Sequence, residues 1–388
     1  MTANGPWIEH LPGNMVWSNA ILVTKAMAPY GAVALGEIDQ VCEKLRARQT
    51  EPQAWWEEWS AMGARLRQRA DAAEAAGHRM SAGNYYLRAG MYYFTAERFI
   101  HPGPQKREMG RIAIDCQTRG ILRRYPNVER VEVPFDGTSL PAFFMKANPT
   151  AGAARAPTIV VFNGMDNCKE MSVLFAGLEF AARGWNTLAI DGPGQGEALR
   201  LRELYARHDY EGAGTAAFDY VATRAEVDAA RVFVMGYSFG GYYAARVAAF
   251  EKRYRGGISM SALHWDLHGW QRDIKRRQDA DPKGTPQSAF HFRWIMGCID
   301  DGEAALEKAK KFSLVDVAGK ITCPFIIVHA AEDTVVPVAN APRLFDAIAS
   351  TDKQLTILSA EDGGHYHAQA DNRQVGIDTI ADWIEDRV

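Results

Sequence analysis

Cysteine is scarce in this 388-residue sequence. The five present, Cys42, Cys116, Cys168, Cys298 and Cys323, are odd in number and form no CxxC pair. That pattern excludes a disulfide framework and a zinc knuckle and fits a reducing compartment. Long apolar runs are missing as well: no stretch approaches the roughly 18 residues of a membrane span. The opening MTANGPWIEHLPGN has neither the basic start nor the apolar core of a signal peptide. A cytoplasmic protein with no membrane partner is expected. Positive charge is not in excess, since 44 Lys plus Arg stand against 47 Asp plus Glu for a net charge of −3. Nothing is left over to neutralise a phosphate backbone, so nucleic acid is not an expected partner. The run from Asp191 to Glu197 is glycine-rich, but it carries neither the lysine of a phosphate loop nor a GxGxxG before a helix, which excludes nucleotide binding.

What is present is an ordinary globular composition, 47% hydrophobic and 23% charged. At about 150 residues per domain, the length implies two or three domains, or one large domain with insertions. Up to about residue 125 the apolar residues recur at helical spacing: Ile38, Val41, Cys42 and Leu45 form one stripe, Trp55, Trp59, Met62 and Leu66 another. Residues 1–125 read as an all-helical amino-terminal domain. Its tyrosines, Tyr85, Tyr86, Tyr92 and Tyr93, are either core or the wall of a pocket. From about Val128 the period changes to that of strands. An Asp136-Gly137 turn joins two of them, and strands then alternate with helices through Thr158 to Phe162, Trp185 to Ile190 and Val232 to Met235. Later strands are expected at Gly257 to Ser261, Pro324 to His329 and Leu355 to Leu358, with a closing amphipathic helix around Ile377 to Ile384. Residues 126–388 therefore read as an α/β domain with a mostly parallel sheet flanked by helices. The stretch from about 264 to 312 interrupts the alternation as a helical insertion expected to roof the carboxyl ends of the strands, where such sheets bind ligands.

The strongest local signal is Val232-Phe-Val-Met-Gly236-Tyr-Ser238-Phe-Gly240-Gly241, an apolar strand, a sharp turn and a small-residue helix. Glycines around Ser238 permit the strained elbow that lifts a nucleophilic hydroxyl above a sheet. Serine needs a base to take its proton and an acid to orient that base, in the chain order serine, acid, histidine. Asp333, immediately past an apolar strand, is the expected acid, with Glu332 its rival. His365, in Asp362-Gly-Gly364-His365-Tyr-His367, is the expected base, with His367 as the alternative. The backbone N–H groups of Phe239 and Met165, the latter in the turn after Phe162, are the expected oxyanion donors. His264, Asp266 and His268 follow a strand end and are candidates for substrate binding or proton donation. His264 and His268 also have the HxxxH spacing of a metal pair, but Trp265 stands where the glutamate of HExxH would be and no third ligand is evident. No metal and no cofactor are expected.

Asn163-Gly164-Met165 with Lys169-Glu170, then DGPGQGE, GYSFGG, AEDTVVP and GGHYH in that order, resemble an α/β-hydrolase. Together with the helical amino-terminal domain, nearly the whole chain resembles the group that contains dihydroxypseudooxynicotine hydrolase and the fungal hydrolases that shorten a pigment polyketide. Members of that group cleave a carbon–carbon bond next to a ketone. The resemblance implies nucleophile Ser238, acid Asp333 and base His365, acting on a small aromatic or polyketide-like ketone. The same motifs serve esterases, amide hydrolases and acyltransferases, which stay open as alternatives. The expected partner is a small-molecule substrate, and a homodimer is allowed.

Overall fold

The structure is a computed structural model that describes residues 9–149, 155–262, 265–281 and 289–388. The chain divides into two compact units. One is Met1–Val128 together with Gln271–Trp294, and the other is Glu129–Trp270 together with Ile295–Val388. The amino-terminal unit thus takes in part of the stretch that the sequence suggested as an insertion of the α/β domain.

In the amino-terminal unit, helices span Met15–Lys25, Leu35–Arg46, Ala54–Ala75, Arg79–Glu97 and Pro104–Arg124. The long third, fourth and fifth pack in succession. Both apolar stripes read from the sequence are buried, Ile38, Val41, Cys42 and Leu45 on one helix and Trp55, Trp59, Met62 and Leu66 on the next. Trp55 donates its indole N–H to the Thr95 carbonyl at 2.8 Å. Of the tyrosines, Tyr86, Tyr92 and Tyr93 are core residues. The hydroxyl of Tyr92 is satisfied by Glu37 at 2.8 Å, as a buried phenol requires. A buried ion pair, Lys106 to Glu97 at 2.8 Å, joins the ends of the fourth and fifth helices.

The second unit is built on an eight-stranded sheet: β1 (Val128–Phe135), β2 (Thr138–Met145), β3 (Ala156–Phe162), β4 (Asn186–Ile190), β5 (Val227–Tyr237), β6 (Gly256–Met260), β7 (Phe325–Ala330) and β8 (Lys353–Leu358). Their order across the sheet is β1-β2-β4-β3-β5-β6-β7-β8. Asp136 and Gly137 take φ of 44° and 74°, the positive values a two-residue hairpin turn between β1 and β2 demands. β2 runs antiparallel to β4, and every pair from β4 through β3, β5, β6, β7 and β8 is parallel. The inner strands β3, β4, β6 and β7 are almost wholly buried, as a parallel sheet covered on both faces must be. This explains why they read in the sequence as continuous apolar runs. The fold is that of an α/β-hydrolase, and the carboxyl ends of β3, β5, β7 and β8 gather the residues of the candidate site. Among the described residues, no helix is long and apolar enough to cross a membrane.

Candidate active site

Ser238 sits between the end of β5 and the helix Phe239–Phe250, with φ 54° and ψ −126°. That conformation is strained for a residue with a Cβ, and strain of this kind persists only where its surroundings over-determine it. Here they do. The Ser238 N–H donates to the Met260 carbonyl at 2.8 Å, and its own carbonyl accepts from Gly241 N–H at 2.9 Å. The flanking glycines are required by close approach. A Cβ on Gly236 would lie 1.9 Å from the Gly240 carbonyl oxygen, and one on Gly240 would lie 2.3 Å from the Phe162 carbonyl oxygen. The helix start is therefore pressed against the end of β3, and the half-buried Ser238 hydroxyl is presented at the edge of the sheet.

That hydroxyl meets His367. Nε2 of His367 is 2.8 Å from Ser238 Oγ, and Nδ1 of the same ring is 2.7 Å from Asp333 Oδ2. The Asp333 side chain is fully buried, while the imidazole keeps 18% exposure. Asp333 lies just past β7 and accepts the N–H groups of Val335 and Val336 on Oδ1, at 2.9 and 2.7 Å, which leaves Oδ2 for the imidazole. His329, also buried, sits 3.6 Å from the same carboxylate and points Nε2 at the Val336 carbonyl at 3.2 Å. Burial pushes its pKa down despite the pull of Asp333, so it is a neutral packing partner of the acid. An imidazole that bridges a hydroxyl and a buried carboxylate can take the hydroxyl proton as the oxygen attacks a carbonyl, and the acid stabilises the imidazolium formed.

The base expected at His365 is therefore not the histidine that reaches Ser238. His365 Nδ1 lies 3.0 Å from Asp371 Oδ2. Asp371 also accepts the backbone N–H groups of His365 and Tyr366, each at 3.1 Å, and the His365 carbonyl accepts Glu332 N–H at 2.9 Å. These bonds hold His365 against the acid loop by its main chain. The chain then bends into a 3₁₀ turn at His367–Gln369, where Ala368 and Gln369 take φ of 52° and 50°, and this bend aims the His367 ring at the elbow. Gln369 is fully buried and anchors the bend by donating to Ser261 Oγ at 3.2 Å. Glu332, the rival acid, is engaged through its N–H with His365 and makes no bond to His367.

The loop after β3 lies directly over Ser238. A Cβ on Gly164 would be 3.1 Å from Ser238 Cβ and 3.5 Å from its Oγ. Met165 is next in this loop and is buried. The loop is fastened from beneath by a buried charged cluster that sequence reasoning did not identify. Asp191, at the end of β4, accepts from Asn163 Nδ2 at 2.8 Å, from the Lys169 N–H at 2.7 Å and from the Glu197 N–H at 2.8 Å. The Lys169 ammonium, wholly buried, contacts Glu170 at 2.6 Å, Glu197 at 2.8 Å and Asp191 at 3.3 Å. Burial alone would favour its neutral form, but three carboxylates outweigh that and hold it charged. Burial likewise opposes ionisation of Glu197, yet Lys169 and Arg130 pull its carboxyl down to about 2. Glu170 behaves oppositely: burial pushes its carboxyl up. Past Glu170 the helix runs through one wide π turn at Val173–Gly177, an irregularity frequent near functional sites.

Of the remaining candidates, His264 lies outside the described residues. Asp266 is exposed and pairs through its backbone with Ser313; His268, in the helix Leu267–Ala280, is half-buried. Neither Asp266 nor His268 hydrogen-bonds to Ser238, His367 or Asp333. Among the described residues no three His, Cys, Asp or Glu side chains gather as a metal site would require.

Residues 178–388, which carry the elbow, the acid and both histidines, match the model of the prolyl oligopeptidase family. The chain belongs to the prolyl oligopeptidase family. It is accordingly a hydrolase. Among similar proteins, a hydrolase of a Fusarium species named LUC6 is 27% identical over 88% of this chain and 89% of its own. The 2,6-dihydropseudooxynicotine hydrolase of Paenarthrobacter nicotinovorans is 25% identical over 80% of this chain and 79% of its own. The crystal structure of 2,6-dihydroxy-pseudo-oxynicotine hydrolase superposes with a TM-score of 0.75 at 22% identity, covering 94% of this chain and 95% of that one, a likeness of fold.

Proposed function

We propose that the protein is a serine hydrolase that cleaves a carbon–carbon bond next to a ketone in a small aromatic or polyketide-like substrate. The observation that carries the catalytic part is the His367 imidazole, 2.8 Å from Ser238 Oγ on one side and 2.7 Å from Asp333 on the other. In this reading Ser238 Oγ attacks the ketone carbon while His367 takes its proton. The backbone N–H groups of Phe239 and Met165 receive the oxyanion, the first because it opens the helix after the nucleophile, the second because its loop covers Ser238. Collapse of the tetrahedral intermediate breaks the bond to the α-carbon. Where the α-carbon also bears a second carbonyl, the electron pair leaves as the enolate of that carbonyl, and the proton on His367 goes to that carbon. Water, activated by the same imidazole, then releases the acid and restores Ser238.

The choice of bond rests on similarity. Relatives include a 20-hydroxy-prefusarin hydrolase of Gibberella moniliformis and the 2,6-dihydropseudooxynicotine hydrolase, and the group that the motifs resemble acts on ketones. The free cysteines, three of them buried, fit the cytoplasmic location included in this reading. A turnover panel of aryl esters, β-diketones and aromatic polyketide ketones tests it, with Ser238→Ala as the control. Turnover of the diketones and polyketides that disappears in the variant supports the reading. Turnover of esters alone moves the enzyme to ester hydrolysis with the same residues.

A further inference from the structure

Asn167, three residues beyond Gly164 in the loop over Ser238, is 6% exposed; its buried Oδ1 has no hydrogen-bond partner, and among the described residues none accepts from its Nδ2. Its Nδ2 and the Ser238 Oγ lie 3.3 and 3.5 Å from one point, the position a Cβ on Gly164 would occupy. A buried amide oxygen without a partner normally costs stability, because it has left water for nothing. In Asn163 the oxygen Oδ1 is likewise without a partner, but Nδ2 is engaged, donating to Asp191 and to the Ile190 carbonyl; the difference at Asn167 is the unengaged Nδ2. The charged cluster below engages that side of the loop and does not reach Asn167. An unpaired amide held beside a nucleophile by a fastened loop is a group reserved for a ligand.

We infer that the Asn167 side-chain N–H binds a second oxygen of the substrate, two carbons from the carbonyl that Ser238 attacks, so that the enzyme selects 1,3-dicarbonyl compounds over simple ketones. The inference rests on the proposed attack by Ser238 and supplies what carbon–carbon cleavage needs in addition, a place for the departing electrons. When the bond to the α-carbon breaks, its electron pair moves into an enolate whose charge sits on that second oxygen, and the Asn167 N–H donates to it. The oxyanion on the attacked carbon is a different atom, served by backbone N–H groups. Asn167 therefore acts on the leaving half of the substrate.

The experiment measures inhibition of aryl acetate hydrolysis by 1-phenylbutane-1,3-dione and by butyrophenone, which lacks the second oxygen, in the wild type, Asn167→Asp and Asn167→Leu. The first variant keeps the shape of the side chain and loses the donor; the second loses all polarity. One hydrogen bond should make the dione bind about tenfold more tightly than the ketone in the wild type, and both variants should bring that ratio close to one. Because the readout is a ratio of inhibition constants, a uniform loss of active protein cancels. A wild-type ratio near one, or a preference that survives in both variants, overturns the inference. It is read whether or not the dione is cleaved, so a dione that binds preferentially and is never turned over refutes carbon–carbon cleavage while leaving Asn167 as its binding residue.

Discussion

Replacing Lys169 by methionine removes the ammonium from the centre of three carboxylates while keeping most of the side chain's length. The consequences differ among the three. Glu197 retains Arg130 at 2.6 Å and Arg202 at 3.1 Å, and Asp191 retains the N–H groups of Asn163, Lys169 and Glu197. Glu170 retains nothing: Lys169 is its ion-pair partner through Oε1, and its buried Oε2 has no hydrogen-bond partner. Breaking a buried pair by removing one member costs about 3–5 kcal/mol, because the remaining charge is stranded. For a unit of this size 1 kcal/mol moves Tm by about 2–4 °C, so a fall of roughly 6–20 °C is expected. Glu170 can escape by binding a proton. Burial already raises its folded-state pKa above the unfolded value near 4.5, so the folded state binds the proton more tightly than the unfolded one. Stability from such a group is fully present below the unfolded pKa and is lost as pH rises through the folded one. Removing Lys169 raises the folded value further, so Lys169→Met should lose more Tm at pH 8 than at pH 5. Adding Glu170→Gln should recover much of the loss at pH 8. Thermal melts of the wild type, the single and the double variant at the two pH values decide it. An equal loss at both pH values, or no recovery in the double variant, refutes the argument that a stranded Glu170 carboxylate is the source of the instability.

Two further expectations follow from the site. Asp333→Asn should keep the bonds from Val335 and Val336 but place an N–H against His367 Nδ1, which forces the proton onto Nε2 and removes the acceptor that Ser238 needs. Turnover should fall by about 10⁴-fold with Tm little changed, and a loss under about tenfold contradicts the assigned role of Asp333. Gly240→Ala places a Cβ 2.3 Å from the Phe162 carbonyl oxygen and 2.6 Å from that of Asn163, both backbone atoms that cannot swing aside. Overpacking of this kind costs about 1–3 kcal/mol or more, so a Tm equal to that of the wild type would show that the elbow is less tightly pressed on β3 than described.

The alternation of strands and helices was legible because buried parallel strands are apolar on both faces and are set apart by turn residues. The two glycines around Ser238 announce a close approach that local sequence can encode. The choice between His365 and His367 was not legible, since both follow the same strand and the same glycine pair. What separates them is the carboxylate of Asp371 and the left-handed turn at Ala368 and Gln369, and neither has a local sequence signature. The cluster around Lys169 was hidden for a related reason. Its members follow β3 and β4 in separate parts of the chain, and although Lys169-Glu170 and the DGPGQGE run stand out as motifs, nothing local shows that they meet in one buried cluster. The residues Gln271–Trp294 belong with the amino-terminal helices through packing between distant parts of the chain, which periodicity does not register.

The most direct test of the account compares His367→Ala with His365→Ala in the rate at which a fluorophosphonate labels Ser238, a reaction that needs the nucleophile and its base and no knowledge of the natural substrate. With His367 as the base, labelling should slow by about 10³-fold or more in His367→Ala, since a serine without its base is close to an ordinary alcohol. In His365→Ala it should stay within about tenfold of the wild type. Rapid labelling in His367→Ala together with its loss in His365→Ala would contradict the account.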